Sequence, residues 1–239
     1  MVQLKHFGDS RDYFKYDLIQ FVLKSLSLNH YVFIPMLTKH REDNEGRKKP
    51  TDRGDKSRQL LEFINGCQDK SLKHWEHWLE CYVRSYFTRE PVDKYFFSDN
   101  RRHAYWSAFQ PHLSRKKALV FVDPDTGLQT GKPSYLKRMG RDKYILNDEL
   151  RFLIEEIAPS SVLMLYQHLP PNKNIHAQSV EKKLAQVRSI NATVYAVAYR
   201  EDDLAFLFVS KQKPLYQELH SILRGYQKSS TNAYRSLHA

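Results

Sequence analysis

ALVFVDPDTGLQ, residues 118–129, begins with five consecutive apolar residues and then sets two carboxylates on either side of a proline, Asp123-Pro124-Asp125, before Gly127. A short apolar run bounded by turn-forming residues reads as a strand buried on both faces, as in an α/β sheet covered by helices on each side. Ligands of such sheets gather outside the carboxyl ends of the strands, where loops and helix N-termini converge. Asp123 and Asp125 therefore stand where a substrate or an ion would be met. The plainer reading of the same residues is a turn in which Asp123 caps, Asp125 is solvated and Gly127 supplies a positive φ.

On either side of this strand, helical and extended patterns alternate. Over residues 10–28, Phe14, Leu18, Val22 and Leu26 recur at helical spacing behind a capping Ser10, and HYVFIPML, 30–37, reads as a buried strand. A charged loop at 38–58 and a helical insertion at about 59–90 follow, then a short strand in KYFFSD, 94–99, and a helix over 101–113. Beyond the DPD segment come a basic loop at 129–143, a helix over 147–158, a buried strand over 160–169 and a helix over 179–190. ATVYAVAYREDDLAFLFVS, 192–210, reads as two strands joined by a tight acidic turn; a helix over 214–226 then leads to a polar tail expected to fray. This order predicts one α/β domain over 1–239: a three-layer, Rossmann-like, mainly parallel sheet with an antiparallel terminal hairpin.

Composition narrows the function. The chain has 41% hydrophobic residues to build a core but no apolar run long enough for a membrane span, and its start lacks a secretory pattern, so a cytoplasmic location is expected. Cys67 and Cys81 form neither a CxxC pair nor a disulfide framework. The formal charge of +11 favours a polyanionic partner, DNA or RNA, because neutralising phosphates releases counterions. The basic residues come in groups at 47–49, 115–117 and 132–143.

Three stretches together resemble the class I methyltransferase fold, and more narrowly the bacterial 23S rRNA adenine-N6 methyltransferases. GDSRDYFKYDLIQFVLKSL is similar to that family's opening helix, ALVFVDPDTG stands where its DPPY motif would, and VLMLYQHL followed by LAFLFVSKQKPLYQELHSIL matches the order of its closing strands and helix. The resemblance implies S-adenosylmethionine as cofactor and transfer of a methyl group to a base of a nucleic acid. It assigns Asp123, Pro124, Asp125 and Lys15 to catalysis, and Asp12, Tyr16, Asp99 and Asn100 to the cofactor. Asp12, Lys15 and Tyr16 lie at i, i+3 and i+4 of one helix, which lets them share a face beside the strand ends. In the family a glycine-rich turn after the first strand admits the cofactor; here that place reads IPMLTKHREDNEG, with no glycine before Gly46. Asp125 replaces the second proline of the motif and Thr126 its aromatic residue.

A second carboxylate also suits a different chemistry. Asp123 and Asp125 as paired oxygen ligands for Mg²⁺ or Mn²⁺ would make a metal-dependent nuclease or phosphohydrolase. A third reading keeps the scaffold and the basic surface without chemistry, as a nucleic-acid-binding subunit. His74, His77 and Cys81 at i, i+3 and i+7 are compatible with a metal site, although the apolar stripe of Trp75, Trp78, Leu79 and Tyr82 explains the same segment as an amphipathic helix. His168, following a strand in Tyr166-Gln167-His168, is a candidate acid or base.

Overall fold

The computed structural model describes residues 10–38, 58–68, 97–131, 133–229 and 235–239. Its centre is a six-stranded sheet in the order β1-β2-β5-β7-β6-β8, made of β1 (His30–Pro35), β2 (Ala118–Asp123), β5 (Val162–His168), β6 (Tyr195–Glu201), β7 (Leu204–Ser210) and β8 (Arg235–His238). β1, β2 and β5 are parallel neighbours, whereas β7 pairs antiparallel with both β5 and β6, and β8 antiparallel with β6. The sheet is therefore mixed, with two parallel and three antiparallel pairings, rather than mainly parallel. The hairpin over 192–210 is the cause. Its second strand is inserted between β5 and β6 instead of extending the edge.

Helices cover both faces. α1 (Ser10–Ser25), α2 (Arg58–Gln68) and α7 (Lys213–Lys228) pack on one side, where Leu18, Ile19, Leu60, Leu219 and Leu223 meet Phe33, Phe121 and Phe206. α3 (Arg102–Leu113), α5 (Asn147–Glu156) and α6 (His176–Ile190) pack on the other, against Val32, Val120, Leu163 and Leu207. The two sets alternate along each strand, as the pleat requires. Every residue of β2 and of β7 is buried, which accounts for the unbroken apolar runs in the sequence.

Three local expectations change. The basic stretch 129–143 is not all loop: it holds α4 (Pro133–Met139), the crossover between two short parallel strands, β3 (Gly127–Leu128) and β4 (Tyr144–Ile145). Phe97 and Ser98 are irregular and Asp99–Arg101 is a 3-10 turn, so the described part of KYFFSD is not a strand. The end of the polar tail is β8, because Arg235 is buried on Glu201 and residues 235–238 pair with β6. The proposed helix carrying His74, His77 and Cys81 lies outside the described residues.

Candidate functional site

Asp123 ends β2 on the same face as Leu119 and Phe121, the face that α1 covers. Lys15 of α1 reaches it there, with Nζ 3.1 Å from Oδ1 and 2.9 Å from Oδ2, and with Asp12 Oδ1 3.5 Å from the same nitrogen. The Tyr166 ring of β5 lies against the ammonium, 4.3 Å from centroid to Nζ. Lys15 and Asp123 are each 1% exposed and Asp12 is fully buried. Withdrawal from water pushes the Asp123 carboxyl up to about 6. It also raises the Tyr31 phenol, with the charges of Asp123 and Asp12 adding to the same shift. Asp12, Lys15 and Asp123 thus meet under α1, while Tyr16 is a buried member of the core between that helix and the sheet.

The loop that follows is held by side chains from several elements. Gly127 adopts φ +133, and a Cβ there would lie 2.4–2.6 Å from the carboxamide of Gln167, so glycine is required both by conformation and by space. That carboxamide bridges the loop: Oε1 accepts from Leu128 N at 3.0 Å, and Nε2 donates to Thr126 O at 3.2 Å and to His168 O at 2.7 Å. Further along, Lys183 of α6 donates to Leu128 O at 2.9 Å and Gln129 O at 2.7 Å, and Gln186 donates to Gln129 O at 3.2 Å. Burial lowers the Lys183 amine to about 8.

Asp125 turns away from Asp123 toward Lys143, 3.5 Å away, and Thr126 N donates to Lys143 O at 3.0 Å. The two carboxylates of the DPD motif are thus engaged by different lysines rather than by each other's partner. Among the described residues no group of three or more His, Cys, Asp or Glu side chains could hold a metal ion. Lys143 belongs to the β3-α4-β4 excursion, which carries Lys137, Arg138 and Arg141 at the same end of the sheet. Lys137 and Arg138 are exposed, and the Arg138 guanidinium lies 5.3 Å from the Tyr135 ring centroid. Arg115, Lys116 and Lys117 precede β2 and so lie at the opposite end of the strands. The basic groups of the sequence do not all converge.

Asp99 is half-exposed and pairs with Arg102 at 3.2 Å and Arg141 at 3.3 Å; Asn100 is exposed and accepts from Ser98 Oγ at 2.8 Å. Asp99 is thus held by arginines of the basic rim, and Asn100 by Ser98. Arg102 is the organiser of this corner: buried, it makes a bidentate contact with Glu149 at 2.5 Å and donates to Arg141 O at 2.9 Å and Tyr144 O at 2.6 Å. Nothing in the local sequence distinguishes Arg102 from its exposed neighbour Arg101. Glu149 carries a fainter signal, since an acid three residues into a helix is a capping position, and it does accept from Leu146 N at 2.8 Å. His168 is half-buried, and its imidazole is lowered first by burial and then by the charge of Arg11.

The described residues that follow β1, 36–38, do not fit S-adenosylmethionine in the manner the methyltransferase resemblance implies. Met36, Leu37 and Thr38 are buried, at 0%, 5% and 4% exposure, with the two apolar side chains packed in the cores. Tyr105 Oη donates to Pro35 O and Phe97 N to Leu37 O, so the carbonyls beside the strand end already have protein partners. No helix among the described residues is long and apolar enough to cross a membrane. Comparison with protein-family models finds no match, and neither curated proteins nor solved structures supply one.

Proposed function

We propose that this chain binds nucleic acid through the basic rim beside the DPD loop, on a methyltransferase-like scaffold, without methyl transfer or metal-assisted cleavage at that loop. The observation that carries the reading is the β3-α4-β4 excursion: it carries Lys137, Arg138, Arg141 and Lys143, with Lys143 beside Asp125 and Tyr135 under the Arg138 guanidinium. Basic side chains interleaved with an aromatic ring suit a phosphate backbone with stacked bases. The chemical alternatives lose support where they need open groups. Lys15 holds both oxygens of Asp123, and Met36 and Leu37 fill the turn that a cofactor would use.

The test is fluorescence anisotropy with a labelled single-stranded RNA and a DNA duplex at stepped salt. Affinity is expected to fall steeply with salt and to survive the double substitution Asp123→Asn, Asp125→Asn. Loss of binding in that variant, with its fold intact by circular dichroism, would remove the reading. One observation favours methyl transfer to a base amine as a second reading: a buried carboxyl with a raised pKa at a strand end is the setting of many functional groups. Saturable S-adenosylmethionine binding by calorimetry, abolished by Asp123→Asn, would put methyl transfer first.

A further inference from the structure

The edge of the sheet carries an arrangement unrelated to the DPD loop. On β8, Ser236 and His238 are two residues apart and so share a face, opposite Arg200 and Ala198 of β6. Ser236 Oγ is 2.8 Å from His238 Nε2, and His238 Nδ1 is 2.9 Å from Glu181 Oε1 on α6. Arg200 Nε donates to the same Ser236 Oγ at 2.8 Å. For a neutral imidazole these contacts select one proton assignment. An ionised carboxylate only accepts, so the imidazole proton sits on Nδ1; Nε2 is then the acceptor, and Ser236 gives it the hydroxyl proton while accepting from Arg200. A hydroxyl on a base that is oriented by a carboxylate is the arrangement that activates a serine nucleophile.

We propose that Ser236, His238 and Glu181 form an acyl-transfer centre that hydrolyses carboxylic esters. Ser236 Oγ attacks the ester carbonyl carbon as its proton passes to His238 Nε2. The bond from that carbon to the leaving oxygen breaks as the alcohol takes the proton from Nε2, leaving an acyl-serine. Water then attacks the acyl carbon, giving its proton to Nε2, and Ser236 departs with that proton as the carboxylic acid is released. Arg200 fixes a positive charge within hydrogen-bond reach of the nucleophile, next to where the carbonyl oxygen becomes negative. Glu181 is a positioning residue. It holds the tautomer, and its side chain is 51% exposed while that of His238 is 13% exposed, so the centre opens on the α6 side.

The full chain is treated with p-nitrophenyl acetate and, separately, with a fluorophosphonate probe followed by peptide mass mapping. Phenolate release and phosphonylation of Ser236 are expected, with release lowered about 10²-fold in Ser236→Ala. Glu181→Gln changes a half-exposed side chain and leaves the fold in place; it is expected to lower kcat with KM unchanged, since the imidazole loses the carboxylate that holds its tautomer. Absence of label on Ser236, or unchanged rates in both variants, overturns the proposal.

Discussion

The two halves of the sheet bury charge in different ways. In the parallel half, β1-β2-β5, polar side chains converge from separate elements on one loop: Lys15 from α1, Gln167 from β5, Lys183 and Gln186 from α6. In the antiparallel half, β7-β6-β8, they run along a strand pair instead. Arg235 of β8 meets Glu201 of β6, with Tyr199 Oη 3.1 Å from that carboxylate, and Tyr226 donates to Asp17 of α1 nearby. Parallel strands end at a shared edge where crossover loops must be fixed, whereas an antiparallel strand is fixed by its ladder. Convergence therefore marks where the fold constrains a loop, and a ladder marks where it closes an edge.

Removing one cation from each half gives the largest contrast. Lys15→Met leaves Asp12 and Asp123 buried under α1 without that ammonium, and should cost roughly 3–5 kcal/mol. Arg235→Met should cost about 2 kcal/mol, because β8 can leave the edge and expose Glu201 to water before the full penalty is felt. Urea denaturation measures both, and equal losses would remove the distinction between loop and ladder. Next is Gly127→Ala, expected to cost roughly 3 kcal/mol through backbone strain and collision with Gln167. Adding Gln167→Ala should recover the steric part alone. A double variant no more stable than Gly127→Ala would mean that the carboxamide is not what crowds the turn.

A further contrast is in pH dependence. The Asp123 carboxyl rises from 3.8 to about 6 on folding because burial disfavours its charged form. The folded chain therefore binds more protons than the unfolded one between these values. This contribution to stability is fully present below about pH 4 and is lost as pH rises to about 6. Thermal melts between pH 4 and pH 7 should show that loss in the native chain and a flatter profile in Asp123→Asn. Parallel profiles would contradict the burial of this carboxyl.

The sequence reads well where burial writes a pattern. The apolar runs at 118–122 and 162–166 predict central strands because both of their faces are covered, and Gly127 is legible as a positive-φ position because few other residues tolerate one. Helical spacing also brings Asp12 and Lys15 to one face, and the structure adds Asp123 to them. What stays hidden is pairing across long separations. The insertion of β7 between β5 and β6 leaves no mark on either strand, since a buried strand is equally apolar beside a parallel or an antiparallel neighbour. Arg102 and Lys183 look like surface cations because their partners are backbone carbonyls and, for Arg102, a carboxylate 47 residues away. β8 is hidden for the same reason: Arg-Ser-Leu-His reads as polar tail until Glu201, 34 residues earlier, is known to await its arginine.

The most direct measurement is the salt dependence of nucleic-acid binding by the native chain and by the variant Lys137→Glu, Arg138→Glu, whose changes fall on exposed residues of α4. Each phosphate contact contributes roughly 0.7–0.9 to the slope of log affinity against log salt, so losing two should lower the slope by about 1.4–1.8 and weaken binding at least about tenfold at low salt. An unchanged slope and affinity in that variant would mean that the rim beside the DPD loop is not where the polyanion binds.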